Sequence, residues 1–298
     1  NENIMKEFEP QNGIINPKII VRGYDKGTDE KDDERTIILA KANMLIYFSD
    51  LLAKYHTQQH LNSFSNNAFN SVFHLLKSNL GTFKQIDDEK FDLILTNPPY
   101  VTNSSANIKQ LASTIMDKDN KPYYTLKGRG IETLAIEWII KNLVSGGEAW
   151  IIVPDGLLTQ KSVLNYIKNN CLVKGIISLP KNTFYATPKK TYILALTKKE
   201  KMQKQESKVF TYIVSEIGET RDTKRFTKDE NGNPIRNDLI DCVKEYIVFQ
   251  NGITDEKSER AKILEFNVFD RYSDWLIDKK LSEEEKIKIG LMAPPKVV

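Results

Sequence analysis

The chain has 298 residues with 43 Lys+Arg against 40 Asp+Glu, a formal net charge of +3. That length can bury a substantial core in one large domain or one domain plus an appendage, and the charge balance alone does not announce a nucleic-acid binder. No apolar run reaches the ~18 residues of a transmembrane helix, no signal-peptide pattern opens the chain, and the two cysteines, Cys171 and Cys242, lie far apart. Membrane partners, a disulfide framework and a cysteine-rich zinc site are therefore not expected, and the setting reads as reducing and cytoplasmic.

Strand-like and helical runs alternate, the pattern of a mostly parallel sheet covered by helices. Ile19 to Asp25 predicts a strand ending in an acid, and Thr36 to Tyr55 a helix with Ile37, Leu39, Ala40, Met44 and Tyr47 among its apolar positions. Val72 to Leu76 is a short predicted strand leading into Ser78 and Asn79. Phe91 to Thr96 is another, followed by a predicted loop from Val101 to Gly130 that is long for a compact domain, and so a candidate lid or DNA-contacting segment. Ile131 to Val144 predicts a helix ended by Gly146-Gly147, then a strand from Glu148 to Val153 broken by Pro154. A helix over Val163 to Asn170 and strands over Val173 to Leu179 and Tyr192 to Thr197 follow, with Val209 to Val214 expected to form a hairpin with the last.

After about Glu216 the pattern weakens. Arg221 to Asn237 is polar with a turn at Asn231-Gly232-Asn233-Pro234, and helices are predicted over Asp238 to Phe249 and Asp255 to Glu265. The tail from Ser282 is charged and then proline-bearing, so partial disorder is expected there. The expected organisation is a domain over 1–216 and a partly helical C-terminal extension over 217–298. Basic residues cluster at Lys189, Lys190, Lys198, Lys199, Lys201, Lys204 and Lys208, and again at Lys109, Lys118, Lys121, Lys127 and Arg129, two runs that would meet phosphates if both flank one site. His56 and His60 are four apart with no third ligand in view, so no metal site is expected.

The most informative run is Phe91 to Tyr100, an apolar strand that breaks into Asn97-Pro98-Pro99-Tyr100. An exocyclic amine on a purine is a poor nucleophile because its lone pair is delocalised into the ring. Two fixed hydrogen-bond acceptors, the Asn97 side-chain oxygen and the Pro98 carbonyl, would draw the N–H bonds out of the ring plane and free that lone pair for a methyl donor. Pro98 and Pro99 have locked φ angles and restrict the residues before them, which supplies the rigidity such preorganisation needs. Tyr100 offers a ring face for a planar base, which must first leave its duplex.

Four segments in one order, Asp92 to Tyr100, Gly146 to Gly156, Ile176 to Pro180 and Thr183-Phe184 to Leu194, resemble the N6-adenine DNA methyltransferase domain of type I restriction–modification modification subunits and their fused relatives. The resemblance covers roughly residues 15 to 250. It implies an α/β, Rossmann-like sheet that uses S-adenosylmethionine, with a C-terminal, mostly helical extension. It also implies Asp25 against the cofactor's ribose, and Ser78 and Asn79 where relatives often carry an aspartate for its adenine. Phe184, with its neighbour Tyr185, falls where related enzymes supply a second aromatic to the flipped adenine, and Lys189 and Lys190 become candidate phosphate ligands. The implied partners are double-stranded DNA, a specificity subunit or domain, and a restriction subunit. The chain departs from the family in having no acid-Pro-Pro or acid-Pro-Ala stretch leading into Gly-x-Gly before Asp25, and its glycines nowhere form Gly-x-Gly-x-x-Gly. The expectation is a fragment that lacks the first strand and glycine loop, is inactive alone, and leaves a sheet edge open. Two other readings remain: a non-catalytic DNA-binding or assembly module, and the same chemistry on RNA or a protein glutamine.

Overall fold

The computed structural model describes residues 5–25, 35–77, 81–84, 86, 89–98, 105–184, 187–206, 208–253, 258–271 and 274–293. Contacts divide the chain into two compact units, Asn1–Gln85 and Ile86–Val298.

In the first unit, strands β1 (Val21–Asp25) and β2 (Phe73–Lys77) pair in parallel, with Asp25 opposite Lys77. Parallel neighbours need a crossover. Here it is helical, through Arg35–Tyr47, Ser49–Lys54 and Gln58–Ser63. The single predicted helix over Thr36 to Tyr55 is interrupted at Phe48, whose buried ring lies 4.8 Å from Phe8 and 5.3 Å from Phe64, centre to centre. Ile15, Leu51, Ala68 and Val72 complete this small core.

The second unit is built on six strands, β3 (Phe91–Thr96), β4 (Leu143–Pro154), β5 (Cys171–Ser178), β6 (Thr191–Lys198), β7 (Lys208–Ile213) and β8 (Ala261–Glu265), in the order β3-β4-β6-β5-β7-β8. The fold is α/β. β3, β4, β5 and β7 run the same way, while β6 and β8 are antiparallel to their neighbours. Successive side chains of a strand face opposite sides of its sheet. Trp150, Ile177, Ala195, Phe210 and Tyr212 pack with Cys242 and Tyr246 of helix Asp238–Gln250. The alternate residues Ile151, Ile176 and Leu194 are fully buried on the other side, where helices Glu132–Asn142 and Lys161–Asn170 contact β4 and β5. Central strands buried on both faces read as the near-continuous apolar runs seen in β4, β5 and β6.

Several elements differ from expectation. β7 does not form a hairpin with β6; it pairs in parallel with β5, because the 199–207 connection is long enough to cross over β5 whereas tight hairpins need a turn of a few residues. Gln205 in that connection bonds both the N–H (2.9 Å) and the carbonyl (3.2 Å) of Val173, where β5 is bulged. The helix predicted over Asp255 to Glu265 is instead strand β8 at its described end, because pairing with β7 covers an otherwise open apolar strand. Gly146-Gly147 do not stop a helix but lie within β4, where Gly146 takes φ +79° beside an irregular pairing with β3. The predicted loop from Val101 to Gly130 contains helix Ser105–Ser113. Its later part is pinned by the buried Glu137 carboxylate, which accepts from the N–H groups of Thr125 and Leu126 and from the Thr125 hydroxyl. The charged tail forms helix Glu283–Lys288 behind a capping box at Ser282 and Glu285.

Candidate active site

β3 is paired in parallel with β4, Thr96 opposite Ile151, so Asn97 leaves the sheet at the carboxyl ends of the parallel strands. Ligands of open α/β sheets bind at that edge. The Asn97 side chain is exposed there and Pro98 is buried behind it. Pro99 and Tyr100 lie outside the described residues.

The next strand reaches the same edge at Pro154, followed by Asp155, whose carboxylate accepts from the Gly156 N–H at 2.7 Å and whose own N–H donates to the Lys190 carbonyl at 3.1 Å. Lys190 and Lys189 therefore sit at the edge that carries Asn97. The Lys190 ammonium is largely buried, 3.8 Å from the Asp278 carboxylate and 5.5 Å from the centre of the Tyr192 ring. Burial pulls its pKa down, and Asp278 and Asp155 partly oppose this. Tyr192 donates its hydroxyl to Asp278, and burial with that carboxylate pushes the phenol far up. Asp278 belongs to the one-turn helix Ile277–Lys280, held beside the edge by the buried Trp275, whose N–H donates to the Leu158 carbonyl at 3.0 Å. Its place beside Lys190 has no local sequence signal, and it is the edge residue that sequence reasoning missed.

Phe184 lies on the loop that returns from β5 to β6 along this same edge, in a bridge to Thr187. Its half-buried ring packs against the Ile177, Leu179 and Tyr212 core. Tyr185 lies outside the described residues. The first basic run is split, with Lys189 and Lys190 at this edge and the rest away from it. Because β6 runs away from the edge, Lys198 to Lys208 fall at the opposite end of the sheet. There Lys198 and Lys199 donate to the carbonyls of Ile140 (2.8 Å) and Lys168 (2.5 Å) in the last turns of two helices, a structural use of cations at helix C-termini.

In the first unit, Asp25 ends β1 opposite Lys77, which ends β2, at the same end of a parallel pair. Ser78 and Asn79 lie outside the described residues.

Residues 22–267 match the N-6 DNA Methylase family. The chain belongs to that family. Among solved structures it is similar to a chain of a type I R-M system, at 18% identity and TM-score 0.51, covering 77% of this chain and 48% of that one. It also matches the type I restriction–modification methyltransferase subunit from Streptococcus thermophilus, at 16% identity and TM-score 0.48, covering 75% and 46%. The chain thus spans about half the length of these two structures. No curated protein matches it. No described helix of this N-6 DNA methylase family member is long and apolar enough to cross a membrane, and no three described His, Cys, Asp or Glu residues gather as metal ligands.

Proposed function

We propose that the chain is the base-handling part of an S-adenosylmethionine-dependent adenine-N6 DNA methyltransferase that works as the modification component of a restriction–modification system. The observation that carries this reading is Asn97, exposed at the carboxyl edge of a parallel strand and followed by the buried Pro98, in a chain that belongs to the N-6 DNA methylase family.

Asn97 and the Pro98 carbonyl accept the two N–H bonds of the target amine, and Tyr100 stacks on the extruded adenine. Phe184 closes on the base from the neighbouring loop. These acceptors act on the developing positive charge at nitrogen, where fixed dipoles in a dry site are strongest. S-adenosylmethionine, when bound, supplies the methyl group. The parallel exit of β1 and β2 fits such a ligand: Asp25 would hold the ribose hydroxyls, with Ser78 and Asn79 toward its adenine. The partners in this reading are double-stranded DNA, a specificity subunit or domain, and a restriction subunit, all in the cytoplasm.

Asn97→Ala in the intact protein tests the reading. Methyl transfer from tritiated cofactor should vanish while DNA affinity stays nearly unchanged, because an interaction made only in the transition state shows in the rate. Undiminished turnover would remove the mechanism.

A further inference from the structure

Beyond the carboxyl end of β7 the chain leaves the edge that carries Asn97 and forms an arm closed at its base. The Ser215 and Glu216 N–H groups donate to the buried Asp238 carboxylate at 2.9 and 3.0 Å, Ile217 bridges Asn237, and the Gly218 N–H donates to the Arg236 carbonyl at 2.9 Å. Inside the arm, the Thr220 N–H donates to the Phe226 carbonyl at 2.8 Å and its hydroxyl accepts from the Phe226 N–H at 3.0 Å. Asp222 accepts from the Thr220 hydroxyl and the Lys224 N–H, each at 3.1 Å. A second turn is tied by Asp229, which accepts from the N–H groups of Asn231 (2.9 Å) and Asn233 (2.8 Å).

The acids of this arm are held by its own turns: Asp222 and Asp229 accept backbone N–H groups, Glu219 faces Arg225 at 3.4 Å, and Glu230 is exposed beside Asp229. Arg225 turns inward and donates to the carbonyls of Asn182 (2.8 Å) and Thr183 (3.5 Å), which fastens the arm to the loop carrying Phe184. Lys224 and Lys228 are exposed, Arg221 is half-exposed and 3.9 Å from Glu216, and Phe226 is 54% exposed on a turn whose backbone is tied at Thr220, Lys224 and Phe226. A rigid turn that holds a phenyl ring out beside three cations, against the loop of a base-handling site, has no packing reason to do so.

Taking the substrate as duplex DNA, as proposed above, we propose that the Ile217–Asn237 arm is a DNA clamp. Arg221, Lys224 and Lys228 meet backbone phosphates, and Phe226 packs against the bases beside the extruded adenine. Phosphate contacts of this kind orient the duplex without reading sequence, and an apolar ring at a base step favours the unstacking that extrusion needs.

The test is the salt dependence of binding by the full-length protein to a fluorescein-labelled 30-base-pair duplex, with melting temperatures checked for every variant. Each phosphate neutralised contributes about 0.9 to the slope of log affinity against log salt. The Lys224→Gln, Lys228→Gln variant should therefore flatten the slope by about two. Phe226→Ala should leave the slope alone and weaken binding about tenfold. Lys201→Gln with Lys204→Gln, at the opposite end of the sheet, should change nothing. An unchanged slope in the arm variant, or an equal fall in the Lys201 and Lys204 control, overturns the clamp. Absence of salt-dependent binding by the unsubstituted protein overturns it together with the DNA reading. A flattened slope in a protein that methylates no adenine keeps the clamp and removes only the methyltransferase reading.

Discussion

The position of Asn97 was legible because its signal is local: six residues of strand, then a residue followed directly by proline. Lys190 was not legible in the same way. Sequence offers it as a candidate phosphate ligand, whereas the fold buries its ammonium beside Asp278, a residue brought in from the far end of the chain. The cysteines show the same limit. Their spacing speaks only against a disulfide framework, whereas the fold buries both, and burial pushes each pKa up to about 12. The thiolate is the reacting form, so native protein should react with a disulfide reagent at pH 8 only as fast as it unfolds, and at once in denaturant. Because the folded pKa is raised, this stabilising contribution is complete below the unfolded value near 9 and is lost as pH climbs from there toward 12. Urea midpoints should fall over that window, less steeply in the Cys171→Ala, Cys242→Ala variant. Rapid native labelling would contradict the buried placement.

The strands and helices of the central sheet were legible because they are apolar on both faces or carry a helical period, while pairing was not. β7 lies beside β5, and β8 is a strand, because long-range edges were filled in ways that local propensity does not encode. Asp238 is the clearest case of an element held by a non-local group. Its buried carboxylate accepts two backbone N–H groups and faces Arg236 at 2.7 Å and Arg260 at 3.4 Å. Asp238→Ala would strand the Arg260 guanidinium, which is 14% exposed, and both N–H groups, and should cost about 3–5 kcal/mol in chemical unfolding. A loss below 1 kcal/mol would mean the network is not formed. β3 presents the opposite situation. It is one of the two edge strands of its sheet, yet Leu93 and Leu95 are 52% and 69% exposed, and they line a groove of about 410 Å³ with Trp150, Val243 and Ile247. Open apolar edges recruit other chains. Any self-association seen in sedimentation should fall in Leu95→Lys, with stability shifted by no more than about 0.5 kcal/mol; association unchanged by the substitution would show that the groove does not mediate it.

At the scale of the molecule, the two halves of the proposed chemistry rest on different units, the cofactor side on Asp25 at the end of β1 and the base side on Asn97 at the end of β3. The 298 residues contain no Gly-x-Gly-x-x-Gly. Tight turns of that kind supply the backbone N–H groups that grip a charged ligand at a helix N-terminus. Calorimetric titration of this chain with S-adenosylmethionine should therefore give a Kd no tighter than about 1 mM, near −4 kcal/mol. Micromolar binding would mean that other residues build the cofactor site. The most direct test of the central claim is the identity of the methylated nucleoside. Duplex DNA incubated with the full-length protein and tritiated S-adenosylmethionine, then digested and chromatographed, should carry its label in N6-methyladenine, and the Asn97→Ala protein should leave the DNA unlabelled. Label in another nucleoside, or undiminished N6-methyladenine from the Asn97→Ala protein, would contradict the account.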